Sequence, residues 1–319
     1  MSDIYCPESF PSPASDAEYT SSPEGLERAM REGKILKSCV LFCDSSMRLH
    51  IDLGCMRGII ERGEAVFCRG SETIKDIAVI SRVGKRVAFR VIGFSVERGE
   101  KVALLSRRAA QKECNEKYIS NLRVGDIIPA TVTHLESFGA FLDIGCGLSS
   151  LLTVDSISVS RISHPRDRFT IGDRIYVVVK SRDNENGRIY VSMRELLGTW
   201  EENAADFEVG QTVSGIIRSV ESYGIFVELT PNLAGLAELK EDMGDASELI
   251  GKKSAVYIKS ILPDRMKIKL VLIDSCQSPD SIRTPSPIRY FCDVEQIKHI
   301  SHWRYSPPSS RKLIESAFE

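Results

Sequence analysis

Short β-branched runs bounded by glycine organise this chain, and two of them repeat each other. Residues 124–144, VGDIIPATVTHLESFGAFLDI, match residues 209–229, VGQTVSGIIRSVESYGIFVEL, so that Phe138 falls on Tyr223, Gly139 on Gly224 and Phe141 on Phe226. A repeat this dense marks a duplicated structural unit. Each copy opens on Val-Gly, runs through a β-branched stretch and turns at a glycine set between two aromatic residues, which predicts the start of a small β-barrel. A third, diverged copy is expected upstream. There MRLHIDLGCMRGII alternates into a glycine-containing turn, IDLG at 51–54 matches LDIG at 142–145, and KDIAVISRVGKRVAFRVIGF supplies apolar, β-rich sequence for the later strands.

Helical connectors are expected between the units. LERAMREGKIL from Leu26 reads as a short helix feeding a strand, RRAAQKECNEKY from Arg107 as a connecting helix, and RELLGTWEENAAD at 194–206 as its counterpart after a finished strand, GRIYVSMR. Residues 1–23, rich in proline and serine without apolar periodicity, read as a disordered lead that carries no core. Beyond Asp274 prolines flank one short apolar run at 288–291, which predicts a linker with at most a strand or a docked segment. The expected organisation is a lead at 1–23, a diverged barrel with its linker helix at 24–118, the clearest barrel at 119–197, a helical linker at 198–207, a degenerate barrel at 208–274 and a tail at 275–319.

A chain of 319 residues has room for roughly two to four domains, each with its own core. The net charge of −2 conceals an uneven distribution, because residues 24–118 carry 19 Lys or Arg against 13 Asp or Glu. Attraction for phosphate is therefore expected toward the N-terminal half. Nine scattered cysteines, with no Cys-x-x-Cys and no signal peptide, suit reduced thiols in a cytoplasm better than a disulfide framework. No apolar run approaches the roughly 20 residues of a membrane-spanning helix.

Residues 122–197 resemble an S-one (S1) domain, the RNA-binding OB-fold module of small-subunit ribosomal protein S1. The residues that carry the resemblance are VGD at 124–126, Phe138-Gly139-Ala140-Phe141, Ile171-Gly172-Asp173 ahead of the fourth strand, and GRIYVSMREL at 187–196. The second copy keeps Val-Gly, Tyr223-Gly224-Ile225-Phe226 and Gly235-Leu236, but has a shorter middle loop and a last strand reading MKIKLVLID. The resemblance covers residues 122–274. In residues 24–106 the aromatic pair is replaced by Met47 and His50, with an apparent one-residue slip. The arrangement is similar to the short, three-unit S1 proteins of some Gram-positive bacteria. It implies an all-β fold of tandem five-stranded OB barrels joined by short helical linkers, with disordered termini.

An OB barrel offers an open face where single strands stack bases on aromatic rings while basic side chains follow the backbone. Phe138 and Phe141 are three apart, which in a plain strand puts them on opposite faces, so one or both could instead fill the barrel interior. Gly139 is expected to release that constraint by adopting backbone angles closed to other residues. The resemblance assigns both rings to RNA contact, and carries the role to Tyr223 and Phe226. Where the family places a histidine on this face, twelve residues after the second aromatic, this chain has Thr153 and, in the second copy, Glu238. Threonine can donate a hydrogen bond but cannot stack, and glutamate is repelled by phosphate. Arg188 matches the family's arginine at the start of the last strand, Asp183 approximates its partner acid, and Lys267 takes the arginine's place in the second copy. A plainer reading makes Arg188 and Asp183 an exposed ion pair.

Other basic residues weigh less. Arg161, Arg166 and Arg168 read as a solvated loop that could approach the same face, and Arg82, Lys85, Arg86 and Arg90 as a basic cluster on or beside a strand. Cys276, Cys292, His299 and His302 fit no zinc-finger spacing, and no nucleophile–base pair, phosphate loop or metal cluster is recognisable. Neither a cofactor nor a metal is expected, nor catalysis. The resemblance implies a non-catalytic binder of single-stranded messenger RNA in translation, with the small ribosomal subunit as partner and no membrane. Two other readings stay open: a docking scaffold or regulator that uses the degenerate barrels, and an accessory subunit of an RNA-degrading assembly.

Overall fold

The structure, a computed structural model, describes residues 3–11, 13–68, 73–183, 187–239, 246–275 and 288–318. Short helices α1 (Ala17–Thr20) and α2 (Pro23–Glu32) lead into a first barrel of β1 (Ile35–Cys43), β2 (Leu49–Asp52), β3 (Arg57–Ile60), β4 (Arg86–Glu97) and β5 (Glu100–Ser106), with α3 (Asp76–Ile80) between β3 and β4. Helix α4 (Arg107–Lys117) connects it to a second barrel of β6 (Ile127–Glu136), β7 (Gly139–Asp143), β8 (Ser149–Thr153), β9 (Arg174–Asp183) and β10 (Arg188–Ser192). After α5 (Trp200–Ala204) comes a third, made of β11 (Thr212–Glu221), β12 (Gly224–Thr230), β13 (Leu233–Ala237), β14 (Lys253–Leu262) and β15 (Lys267–Ser275). All three close in the same order, with the third and fifth strands of each running parallel and the other pairs antiparallel, the five-stranded OB arrangement.

The repeat in sequence is a repeat in hydrogen bonding. Gly125 and Gly210, from the two Val-Gly openings, take φ of +94° and +96°. Their N–H groups donate to the carbonyls of Val179 and Ile258 at 2.8 and 2.9 Å. Every first strand carries a bulge at one register: Val40/Phe42 in β1, Val132/His134 in β6 and Ile217/Ser219 in β11. That register places His50, Phe141 and Phe226 in equivalent positions. The one-residue slip of the first copy is one extra residue in the β1–β2 turn, where Met47 sits at φ +61°.

Local chemistry sets the helix ends. In α2 the Ser22 hydroxyl accepts from the N–H of Gly25, Pro23 holds the first position, and Gly33 closes the helix at φ +64°. The connector expected at 194–206 is not continuous. Gly198, at φ +82°, separates a 3-10 turn (Arg194–Leu197) from α5, which Thr199 and Glu202 cap reciprocally. Residues 76–80, expected to feed a strand, instead form α3 with Val79 buried beneath it.

The lead departs from the expectation of a coreless segment, and the docked segment allowed for in the tail is a two-stranded hairpin. Glu8 is buried against Arg107, whose Nε donates to it at 2.7 Å, while the backbone N–H of Glu8 donates to Asp143 Oδ2 at 2.6 Å. Tyr5 stacks on Tyr118 at 6.0 Å. An ion pair and a ring contact, neither of which shows as apolar periodicity, hold this polar segment. In the tail, β16 (His302–Arg304) and β17 (Glu315–Ala317) form a hairpin that buries Trp303 and Tyr305 against the third barrel, and Phe318 packs beside Ile127, Val178 and Leu196 of the second. The first two barrels share a core: Ile35, Ala88, Ala110 and Cys114 lie in one buried cluster with Ile128, Leu142 and Val177.

Candidate nucleic-acid interface

The bulge in β6 resets the alternation so that Val132 and Leu142 enter the core while Phe141 stands half-buried at the surface. Phe138 lies in the turn ahead of β7 and escapes strand alternation altogether; it is 53% exposed. The two rings meet edge to face, 6.0 Å apart at 90°. Tyr223 and Phe226 reproduce this at 6.1 Å and 90°, with Tyr223 66% exposed. Neither pair belongs to the buried cores, which are mainly aliphatic and take their aromatic members from elsewhere, Phe169 in the second barrel and Trp200, Trp303 and Tyr305 at the third.

Gly139 serves the site through space and not through its backbone angles. It is absent from the residues at positive φ, but a Cβ there would stand 2.5 Å from the Leu152 carbonyl oxygen and 3.0 Å from Thr153 Cα. The turn can therefore press against β8 only where the side chain is missing. Thr153 is the residue opposite Gly139 in that pairing, half-buried, with its hydroxyl 3.0 Å from Ser156 Oγ. Its counterpart Glu238 projects into solvent, 3.9 Å from Lys259.

Arg188 is exposed at the first position of β10, opposite Asp183 at the last position of β9. Lys267 takes the same register in the third barrel, also exposed, with Leu262 opposite it. The third barrel therefore keeps a cation but has no acid in register beside it. His134 joins the face although no sequence motif marks it. Its ring lies 6.3 Å from that of Phe141, with Nε2 2.7 Å from Glu136 Oε1. The signal was the repeat register itself, which places His134 level with Phe42 and Ser219, but the bulge that brings it beside Phe141 is invisible before folding.

In the first barrel the equivalent position is closed. His50 is buried, its Nε2 2.9 Å from Asp44 Oδ2, and Phe42 stacks on it at 4.3 Å. Hydrogen bonding from His50 and Arg48 outweighs burial to hold the Asp44 carboxyl far below the usual carboxylate range. Two residues of the basic cluster of this barrel are engaged as well, while Lys85 stays exposed. Arg90 pairs with Glu113 at 3.1 Å, Arg86 donates to the Phe10 carbonyl at 3.3 Å, and partial burial pulls the Arg82 and Lys85 values down.

The loop arginines correct a second expectation. Arg168 is not solvated: it is buried and donates to Glu228 of the third barrel at 2.6 Å, while Arg218 pairs with Glu228 at 2.8 Å and with Asp167 at 3.2 Å. In the tail, His299 lies 2.9 Å from Asp126 and His302 lies 3.3 Å from Glu315. Cys276 falls outside the described residues.

A closed five-stranded barrel that carries an aromatic pair at the start of its second strand, one ring exposed and the other half-buried, is an OB-fold. Residues 121–194 match the family model of the S1 RNA binding domain. The chain is similar to the small ribosomal subunit protein bS1 of Leuconostoc lactis, 34% identical over 178 residues that make up 52% of this chain and 41% of that protein. It is 26% identical to bS1 of Staphylococcus aureus strain COL over 254 residues, 75% of this chain and 64% of that one. The chain thus spans between 41 and 64% of the length of these two relatives. A solved relative is GSP13 from Bacillus subtilis, at 26% identity over 23% of this chain and 57% of that one, with a TM-score of 0.22.

Proposed function

We propose that this chain binds single-stranded RNA through the central barrel, with messenger RNA as its ligand and the small ribosomal subunit as its partner in the cytoplasm. The observation that carries the reading is the edge-to-face pair of exposed Phe138 and half-buried Phe141, within the stretch that matches the S1 RNA binding domain. Rings so placed offer two stacking surfaces, Thr153 opposite Gly139 offers a hydroxyl to a 2′-hydroxyl, and Arg188, exposed at the start of β10, offers a guanidinium to phosphate. The ribosomal part of the proposal is supported by the relatives, which are small ribosomal subunit proteins.

Joint replacement of Phe138 and Phe141 by alanine is expected to weaken binding of a single-stranded RNA by about 2–5 kcal/mol, allowing for imperfect additivity of two stacking rings. The same double change at Tyr223 and Phe226 is expected to cost much less, because Glu238 stands where the central barrel has Thr153. Equal losses at both barrels, with circular dichroism unchanged, would contradict this ranking. Capture of the small subunit from a cell extract, with and without ribonuclease, separates a direct contact from one bridged by RNA. The first barrel enters differently. With His50 buried beneath Phe42, Arg86 bound to the Phe10 carbonyl of the lead and Arg90 paired with Glu113 of α4, it presents a single exposed ring, Phe42, in place of a pair.

A further inference from the structure

A cleft of about 560 Å³ opens in the second barrel between the end of β9 and the tail hairpin. Leu122, Val124 and Ala317 form its apolar walls, and Lys180 and Arg182 line it with positive charge. Among the described residues neither cation forms an ion pair, although the Asp155 carboxylate lies close enough for the Lys180 charge to act on it. The Arg182 guanidinium is held in place by the carbonyls of Ser120 at 3.0 Å and Leu122 at 3.1 Å, bonds that orient it without neutralising it.

Lys180 owes its direction to a bulge. Tyr190 pairs with Ser181 and Val191 with Val179, so Lys180 is skipped by its β10 neighbours. Its Nζ donates to Ser156 Oγ at 2.8 Å, and that same oxygen is 3.0 Å from the hydroxyl of Thr153. Two hydrogen bonds therefore connect the cleft to the residue that faces Gly139 between the rings. The charge reaches that point: the Asp155 carboxyl is held below the ordinary carboxylate range by a hydrogen bond from Thr153 and, beyond it, by Lys180.

We propose that this cleft is a phosphate subsite, in which Lys180, backed by Arg182, holds a backbone phosphodiester of the strand whose bases stack on Phe138 and Phe141. The inference rests on the RNA-binding reading and deepens it. It gives the aromatic platform a direction, since the strand leaves the rings past Thr153 and runs along the wall made by the tail hairpin. It also supplies, from β9, a cation beside the position where the S1 resemblance places a histidine and this chain has threonine.

The test uses the full chain and a fluorescent uridine decamer, titrated at several salt concentrations. Neutralising one phosphate contact on a single strand changes the log–log salt slope by about 0.7. Lys180→Met, which keeps the aliphatic stem, is expected to flatten the slope by about that amount and to weaken binding about three- to tenfold at low salt. Lys180→Arg should restore the slope, and Phe138→Ala should lower affinity with the slope unchanged. A Lys180→Met slope equal to wild type, with an unaltered melting curve, overturns the subsite while leaving the RNA reading in place. Failure of the wild-type chain to bind the decamer overturns the RNA reading and the subsite with it. Inorganic phosphate at matched ionic strength distinguishes the source of the anion. Displacement of the decamer from wild type but not from Lys180→Met would make this a free-phosphate site and would also overturn the assignment to the strand.

Discussion

Gly139 shows how little side-chain space a stacking platform leaves behind it. With the Leu152 carbonyl oxygen 2.5 Å and Thr153 Cα 3.0 Å from an added Cβ, both obstacles are backbone, and β8 must move to accept even alanine. Gly139→Ala is expected to destabilise the barrel by about 1–3 kcal/mol, seen as a melting point lowered by several degrees, and to weaken RNA binding because Thr153 moves with β8. Gly63→Ala is the control, since nothing lies within 4 Å of its Cβ position. A Gly139→Ala protein that melts like wild type would refute the argument. At this scale the aromatic positions could be read from the repeat, because glycine between two rings occurs in both copies at the same offset. The physical reason for the glycine could not be read, since it depends on a strand that returns from the far side of a loop. Nor could the covered ring of the first barrel: the sequence displays Met47 and His50, whereas it is Phe42 that lies over His50.

Among the elements, the lead segment carries the clearest pH dependence. Asp143, buried at the end of β7, accepts the backbone N–H of Glu8 at 2.6 Å and those of Gly145 and Gly147 at 2.9 Å. Burial, and then the negative charge of Glu8, push its carboxyl from 3.8 up to about 6, against the three N–H groups that favour the charged form. An acid whose value is raised in the native state binds a proton there that the open chain has already lost. Its contribution is therefore complete below about pH 4 and fades as pH rises through about 6. Amide exchange in residues 5–11 is expected to accelerate between pH 4.5 and 7 after correction for intrinsic rates, and Asp143→Asn should remove the change. Protection independent of pH in the wild-type chain would show that Asp143 does not govern the docking. The helices α2 and α4 were legible from their own caps and neighbours. The lead was not, because a buried pair between Glu8 and Arg107 spans 99 residues and leaves no periodic trace.

For the molecule as a whole, the arrangement of the barrels matters as much as the face of any one of them. The second and third are joined by four charges, Arg168 and Asp167 from the loop before β9 and Arg218 and Glu228 from β11 and β12. Arg168 reads in the sequence as one of three arginines in a polar loop, since nothing nearby reveals a carboxylate 60 residues away. The core shared by the first two barrels, and the tail hairpin seated on the second and third, are equally long-range. A fragment of residues 119–274 would lose Cys114, Trp303 and Phe318 from buried positions, so the contribution of each barrel is better measured by substitution than by truncation. Glu228→Gln makes the relevant test. It leaves two buried guanidinium groups short of a charge that both contact, and breaking a buried ion pair from one side costs about 3–5 kcal/mol. That exceeds what a polar contact between neighbouring barrels can absorb, so the third barrel is expected to separate from the second while each keeps its own core. Small-angle scattering should then report a larger radius of gyration with far-ultraviolet dichroism unchanged. RNA long enough to touch both aromatic pairs should bind more weakly to the variant, while a short strand held by Phe138, Phe141 and Lys180 binds as before. Scattering identical to wild type would mean that the hairpin and Trp200, not the four charges, hold the two barrels together.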